Sequence, residues 1–122
     1  MTVQKMIKQA EKVFNKFIRL RDVGKPCISC GAKYSPSFDP GHLYSAGGHW
    51  AVRFFETNVH GQCKECNGMK AGNFDAYYDN LKTRISEPEI MLLNSFAHRT
   101  ANYTRDELQQ IIDKYTNKIK EF

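Results

Sequence analysis

The placement of the cysteines limits most strongly how this chain can fold. All four fall in two Cys-x-x-Cys pairs, Cys27-Ile28-Ser29-Cys30 and Cys63-Lys64-Glu65-Cys66. Two residues between thiolates let both sulfurs of one turn reach a single ion. Two such turns complete a tetrahedron with Zn–S distances of about 2.3 Å. Every position is filled by protein, so the expected Zn²⁺ is structural and closed to chemistry. A pair of redox disulfides is the competing reading, and it lacks the βαβ context of Cys-x-x-Cys oxidoreductases. Residues 31–62 separate the pairs, more than a simple zinc ribbon needs, which leaves room for a functional segment between them.

At 122 residues the chain has the size of one domain, here 1–122. Hydrophobic residues make up 41% and charged residues 25%, which excludes a chain too polar to bury a core. No apolar run approaches the ~20 residues that span a bilayer. Lys5, Lys8 and Lys12 interrupt any apolar segment that a secretory signal would need. The expectation is an intracellular protein with no membrane partner. The net charge is +5 and unevenly placed. Lys5, Lys8, Lys12, Lys16, Arg19, Arg21, Lys25 and Lys33 face only Glu11 and Asp22 in residues 1–33, and the remainder is nearly balanced.

Three parts follow one another. Residues 1–23 hold an amphipathic helix, with Val3, Met6, Ile7, Ala10, Val13, Phe14, Phe17 and Ile18 at helical spacing. Lys5, Lys8, Lys12, Lys16 and Arg19 form the opposite face. That face is either a solvated surface or a row of phosphate contacts. Residues 24–72 hold the cysteines and lose helical periodicity; Trp50–Phe55 is a candidate strand there. Trp50, Phe54 and Phe55 are expected in the core. From residue 73 helical signals return. Asn73 is a candidate cap for a helix reaching about Ile85. Ser86-Glu87-Pro88-Glu89 and Thr104-Arg105-Asp106-Glu107 read as capping boxes opening two more helices.

Between the cysteine pairs lie Asp39-Pro40-Gly41-His42, Gly47-Gly48 and Asn58-Val59-His60-Gly61-Gln62; Asn67, Lys70 and Gly72 follow the last cysteine. This pattern resembles the HNH, or ββα-metal, nucleases. In zinc-bearing members a His closes the first strand and a Gly-Gly pair follows. An Asn lies five residues before a Cys-x-x-Cys pair, and a His or Asn directly after it. Here those positions are His42, Gly47 and Gly48, Asn58 and Asn67, an H-N-N pattern like that of phage endonuclease VII-type junction resolvases. The chain is further similar to the phage NinG (Rap) recombination family. The similarity runs through Phe17–Asp22, Pro26–Gly31, Asp39-x-Gly41-His42, Arg53-Phe54-x-Glu56-x-Asn58-x-His60-x-Gln62-Cys63 and Cys66-Asn67-x-x-Lys70-x-Gly72-Asn73. It covers nearly the whole chain and is closest over residues 4–85. Longer NinG relatives carry a basic N-terminal extension that this sequence lacks, which implies lower affinity for DNA here.

The resemblance implies an α+β fold: a zinc-stapled ββα-metal core flanked by the N-terminal helix and C-terminal helices. It also implies a structure-specific endonuclease that cuts branched or junction DNA in the cytoplasm of the bacterial host, using Mg²⁺ or Mn²⁺. His42 is the candidate base, since a neutral imidazole suits deprotonation of water near pH 7. Asn58 is the candidate orienting residue, holding His42 or the connecting loop. HNH enzymes carry an Asp, a ligand of the catalytic cation, directly before the His; here that residue is Gly41. Asp39 lies on the same side of an extended segment and is the candidate substitute, although Pro40 bears on its geometry. Asn67 offers a second oxygen. His60 is either a third ligand, a substrate contact or a structural residue. His49 reads as a loop residue and His98 as a charge partner at a helix C-terminus. Lys70, Arg53, Lys5, Lys12, Lys16 and Arg19 are the candidate DNA contacts. A symmetric homodimer would suit a junction with two equivalent strands, and the apolar stripe on residues 3–18 serves either a dimer seam or the chain's own core. The reading from another class is a zinc-dependent DNA-binding module without catalysis, and an RNA-directed nuclease remains open because phosphate contacts do not identify the sugar.

Overall fold

The computed structural model describes all 122 residues. Four α-helices surround one short antiparallel hairpin: α1 (Val3–Arg21), β1 (Asp39–His42), β2 (Val59–Gln62), α2 (Phe74–Leu81), α3 (Glu87–Phe96) and α4 (Arg105–Ile119). The strands pair with Asp39 opposite Gln62 and His42 opposite Val59. No helix is long and apolar enough to cross a membrane.

The helix ends follow from local chemistry. The Thr2 side chain accepts from Lys5 N–H and opens α1. Both capping boxes form, Ser86 with Glu89 on α3 and Thr104 with Glu107 on α4. Asn73 departs from its expected role. It sits in the left-handed region at φ 47°, which Asn tolerates, and makes no side-chain cap. Its Nδ2 instead donates toward Cys66 Sγ at 3.6 Å. The helix after it ends at Leu81 rather than near Ile85; residues 83–85 continue as a turn bonded to Asn80 and Leu81.

The apolar stripe of α1 (Met6, Ala10, Phe14, Phe17, Ile18) is covered by Leu108, Ile112 and Tyr115 of α4 in the same chain, with Phe54 and Val59 beneath. Of the two uses open to that stripe, the core is the one the fold makes of it. A second cluster joins Ile28, Leu43 and Val52 to Tyr77, Leu81 and Leu93. A third, around Phe38, Cys27 and Cys66, is too small to hold the segment by apolar burial alone. Trp50–Phe55 is not a strand. Trp50–Val52 forms a 3₁₀ turn that tucks Val52 and Phe54 inward, and the true strands begin elsewhere.

Asp22 ties α1 to the hairpin. Its carboxylate accepts from Arg21 at 2.8 and 3.0 Å and from Gly61 N–H at 2.8 Å, and Arg21 also donates to the carbonyls of Glu56 and Val59. Burial alone would raise the Asp22 pKa, but the Arg21 guanidinium and the Gly61 N–H outweigh it and hold the carboxyl below its usual range.

Candidate active site and metal centre

The two cysteine turns meet beside the hairpin. The first closes with Gly31 at φ 74°, where its N–H donates to Cys27 C=O at 2.9 Å. The second, after β2, opens a short π-helical turn, Glu65–Met69. No disulfide links the four thiols. Their sulfurs lie within 4.8 Å of one another, and Cys30 Sγ is 3.7 Å from Cys63 Sγ. A tetrahedron with Zn–S bonds of about 2.3 Å has S–S edges of about 3.8 Å, so four cysteines this close could hold a zinc ion. Burial opposes ionisation of Cys27, but N–H groups of Cys30, Cys63 and Ser29 around its sulfur prevail and lower the thiol to about 7. Burial pushes the Cys66 thiol up to about 12, a penalty that a cation at the centre would remove.

A cavity of about 350 Å³ lies between α1, the end of β1 and the segment after Cys66. His42, the last residue of β1, and Asn67 both line it. The half-buried His42 ring places Nε2 3.0 Å from the Arg53 carbonyl. Burial, and secondarily the Arg53 charge, hold its pKa below the ordinary histidine value. Asn58 is fully buried. It accepts from Tyr44 N–H at 2.9 Å and donates to the carbonyls of Tyr44 and Val52, so it pins the 43–52 connection rather than touching His42. Asp39 Oδ2 accepts from Asn67 Nδ2 at 3.3 Å, while Oδ1 pairs with Lys64 at 2.7 Å and Arg19 at 3.8 Å.

His60 does not reach the cavity. It is 2% exposed, and its Nδ1 lies 3.2 Å from the Tyr77 hydroxyl, which donates to Gly41 C=O at 2.7 Å. Burial, with Arg21 nearby, lowers its pKa to about 3. Arg53 is also inward, stacked 4.0 Å over Trp50. Lys5, Lys12, Lys16 and Lys70 are exposed; Lys70 stands 3.7 Å from Glu65. Arg19 is exposed as well and donates to Phe38 C=O at 2.7 Å. No cation of α1 lines the cavity; Lys12 and Arg19 lie one helical turn from Asn15, which does.

Two residues beside the cavity and the hairpin, Glu11 and Gln62, receive no role from the motif reading, although Gln62 lies within the motif itself. Glu11 reaches the cavity from α1 and pairs with Arg53; its one signal is that it is the one acid in a helix whose other charges are all basic. Gln62 is fully buried, donates to Ser29 Oγ at 2.8 Å and Gly72 C=O at 2.6 Å, and occupies the space beside Gly41.

Residues 2–122 match the family model described as Bacteriophage Lambda NinG protein. The chain is 39% identical over 115 residues to Protein ninG of Escherichia phage 933W, and 38% identical over 115 residues to those of Escherichia phage lambda and Salmonella phage P22. Those alignments cover 94% of this chain but only 56–57% of each relative, so the chain spans a little over half their length. No solved structure matches. The chain belongs to the NinG family.

Proposed function

We propose that this NinG-family chain is a metal-dependent endonuclease of the ββα-metal (HNH) type that hydrolyses phosphodiester bonds in branched or junction DNA during phage recombination. The observation that carries this reading is the shared cavity of His42 and Asn67. A carbonyl only accepts, so the neutral His42 ring keeps its proton on Nε2, facing Arg53, and its lone pair on Nδ1. The lowered pKa leaves that lone pair available at neutral pH. In the proposed reaction Nδ1 removes a proton from the attacking water, and the products are a 5′-phosphate and a 3′-hydroxyl.

Asn58 positions the base indirectly, by holding the connection from which Arg53 offers its carbonyl. Asp39 and Asn67 are the residues that would supply oxygen ligands to Mg²⁺ or Mn²⁺; here Asn67 turns its Nδ2 toward Asp39, and the Asp39 carboxylate lies outside the cavity, on the Arg19 side of β1, so the pair must turn to hold a cation beside His42. Such a cation, when bound, neutralises charge on the phosphorane and the leaving oxygen. His60 is left out of that ligand set because its ring is buried against Tyr77. Zinc at the four cysteines acts as scaffold. Lys5, Lys12, Lys16, Arg19 and Lys70 contact backbone phosphates, with Arg53 inside the cavity.

A non-catalytic zinc-dependent DNA-binding module is the second reading. It is favoured by the glycine at position 41 and by the engagement of Asp39 with Lys64 and Arg19. A panel of labelled duplex, flap, fork and four-way-junction DNAs, incubated with Mg²⁺, Mn²⁺ or no added divalent cation, separates the two. Cation-dependent nicking near the branch supports the nuclease; binding without nicking under any cation supports the module.

A further inference from the structure

The cavity that holds His42 also holds an ion pair whose acidic member, Glu11, the proposed reaction does not use. Glu11 reaches in from α1, and its Oε1 accepts from Arg53 Nη2. The arginine side chain is 13% exposed and the glutamate 32%. The guanidinium is fixed from two sides: the Trp50 ring lies 4.0 Å from its central carbon, and Nη1 donates to Ala46 C=O at 2.8 Å. Its remaining edge is Nε–Nη2, one of the edges with which a guanidinium grips an oxyanion through two parallel hydrogen bonds. Glu11 engages only Nη2. The adjacent Nε–H is buried and has no acceptor, a costly state for a charged donor.

We propose that the Nε–Nη2 edge of Arg53 is the seat of a DNA backbone phosphate in this cavity, and that Glu11 is its resting counter-ion, displaced when the phosphate arrives. A phosphodiester carries two non-bridging oxygens and can satisfy both donors where Glu11 satisfies one. The cavity, about 350 Å³, is large enough for the group. Among its lining residues Glu11 is the one carboxylate and Arg53 the one permanent cation. A carboxylate left in place would repel an incoming diester. Glu11 is the more exposed partner, and Lys8 and Asn15, three residues before and four after it on α1, are the helical neighbours that receive it. The same arginine holds His42 through its carbonyl, so one residue sets the phosphate and the base in register. Glu11 thereby lowers affinity for DNA until a backbone enters deeply enough to compete.

Because the seat rests on reading this cavity as the nuclease site, binding is measured without added divalent cation, where turnover plays no part. Fluorescence anisotropy with a labelled four-way junction compares wild type, Glu11→Gln, Arg53→Lys, the double variant, and Asp75→Asn as a control for general charge. Glu11→Gln should bind about tenfold tighter than wild type, and Asp75→Asn less than about twofold. The Glu11→Gln gain should vanish in the Arg53→Lys background, which keeps the charge and loses the fork. Glu11→Gln binding no tighter than Asp75→Asn, or an undiminished gain in the Arg53→Lys background, would overturn the proposal. If Arg53→Lys fails to fold by circular dichroism, the comparison of Glu11→Gln with Asp75→Asn decides. An Arg53-dependent gain in a protein that cuts no DNA would keep the phosphate seat and remove the nuclease reading.

Discussion

Gly41 is the residue whose replacement tests the packing of the site most sharply. A Cβ added there would lie 2.0 Å from Gln62 Oε1, 2.8 Å from its Cβ and 2.9 Å from its Cδ. The Gln62 side chain cannot swing aside freely, because it is fully buried and its Nε2 is committed to Ser29 Oγ and Gly72 C=O. Gly41→Ala therefore meets two costs: overpacking, at about 1–3 kcal/mol, and disturbance of buried hydrogen bonds, at about 1–3 kcal/mol for each group left unsatisfied. The expected loss is about 3 kcal/mol, read as a fall in urea midpoint with zinc present and an unchanged m-value. Gln62→Ala alone should cost about 2 kcal/mol, through the partners it abandons. Combined with Gly41→Ala it relieves the 2.0 and 2.9 Å approaches but not the 2.8 Å approach to Cβ. The double variant should then be more stable than the sum of singles predicts by about 1–2 kcal/mol. A Gly41→Ala protein within about 0.5 kcal/mol of wild type, or strict additivity, would refute this account. The same geometry explains why position 41 carries no carboxylate: the amide of Gln62 already fills its space.

Elemental analysis should find one zinc per chain, and Cys30→Ser or Cys66→Ser should lose it together with the fold of the central segment; a zinc-free folded protein with a Cys27–Cys30 disulfide would contradict this. Replacing Lys5, Lys12 and Lys16 together by Ala should weaken junction binding and flatten the salt dependence of log K by about 0.9 for each phosphate no longer neutralised, whereas an unchanged slope would make the helix face a solvated surface only. Burial lowers the folded-state pKa of His60 from 6.5 to about 3, so its contribution to stability is fully present above pH 6.5 and is lost as pH falls, when the unfolded chain takes a proton the native ring refuses. Between about pH 6.5 and 4.5 the wild type should lose roughly 2–3 kcal/mol more than His60→Gln in urea titrations, and parallel pH profiles would show that the ring is not buried neutral.

Much of the fold can be read locally. The apolar period of α1 and the two capping boxes place helix starts within a residue, because those signals act over one turn. The strands are different. Asp39-Pro40-Gly41-His42 and Val59-His60-Gly61-Gln62 have little β propensity, and they pair because Asp22, Asn58 and the cysteine turns hold their ends. Trp50–Phe55 has strand-like composition but is drawn into a 3₁₀ turn by the core beneath it. Asn73 reads as a cap, yet its amide turns to Cys66. Spacing singles out the four cysteines, which the fold gathers, and the family resemblance singles out His42 and Asn67, which come to line one cavity. The partners of Glu11 and Gln62 are not legible: Arg53 is 42 residues from Glu11, and Gln62, though inside the motif, meets Gly41, Ser29 and Gly72 only in the folded molecule. His60 lies in the motif segment, but the alternation of β2 turns it to the core side of the hairpin.

The proposed function stands or falls with His42 acting as general base. The most direct measurement is single-turnover cleavage of a labelled four-way junction with Mg²⁺ or Mn²⁺, comparing wild type with His42→Ala matched for zinc content and junction affinity. Wild type should cleave in a cation-dependent way, and His42→Ala should lose on the order of a hundredfold or more with binding nearly unchanged. Equal cleavage by the two proteins, or none by wild type on any branched or linear DNA with either cation, would contradict it.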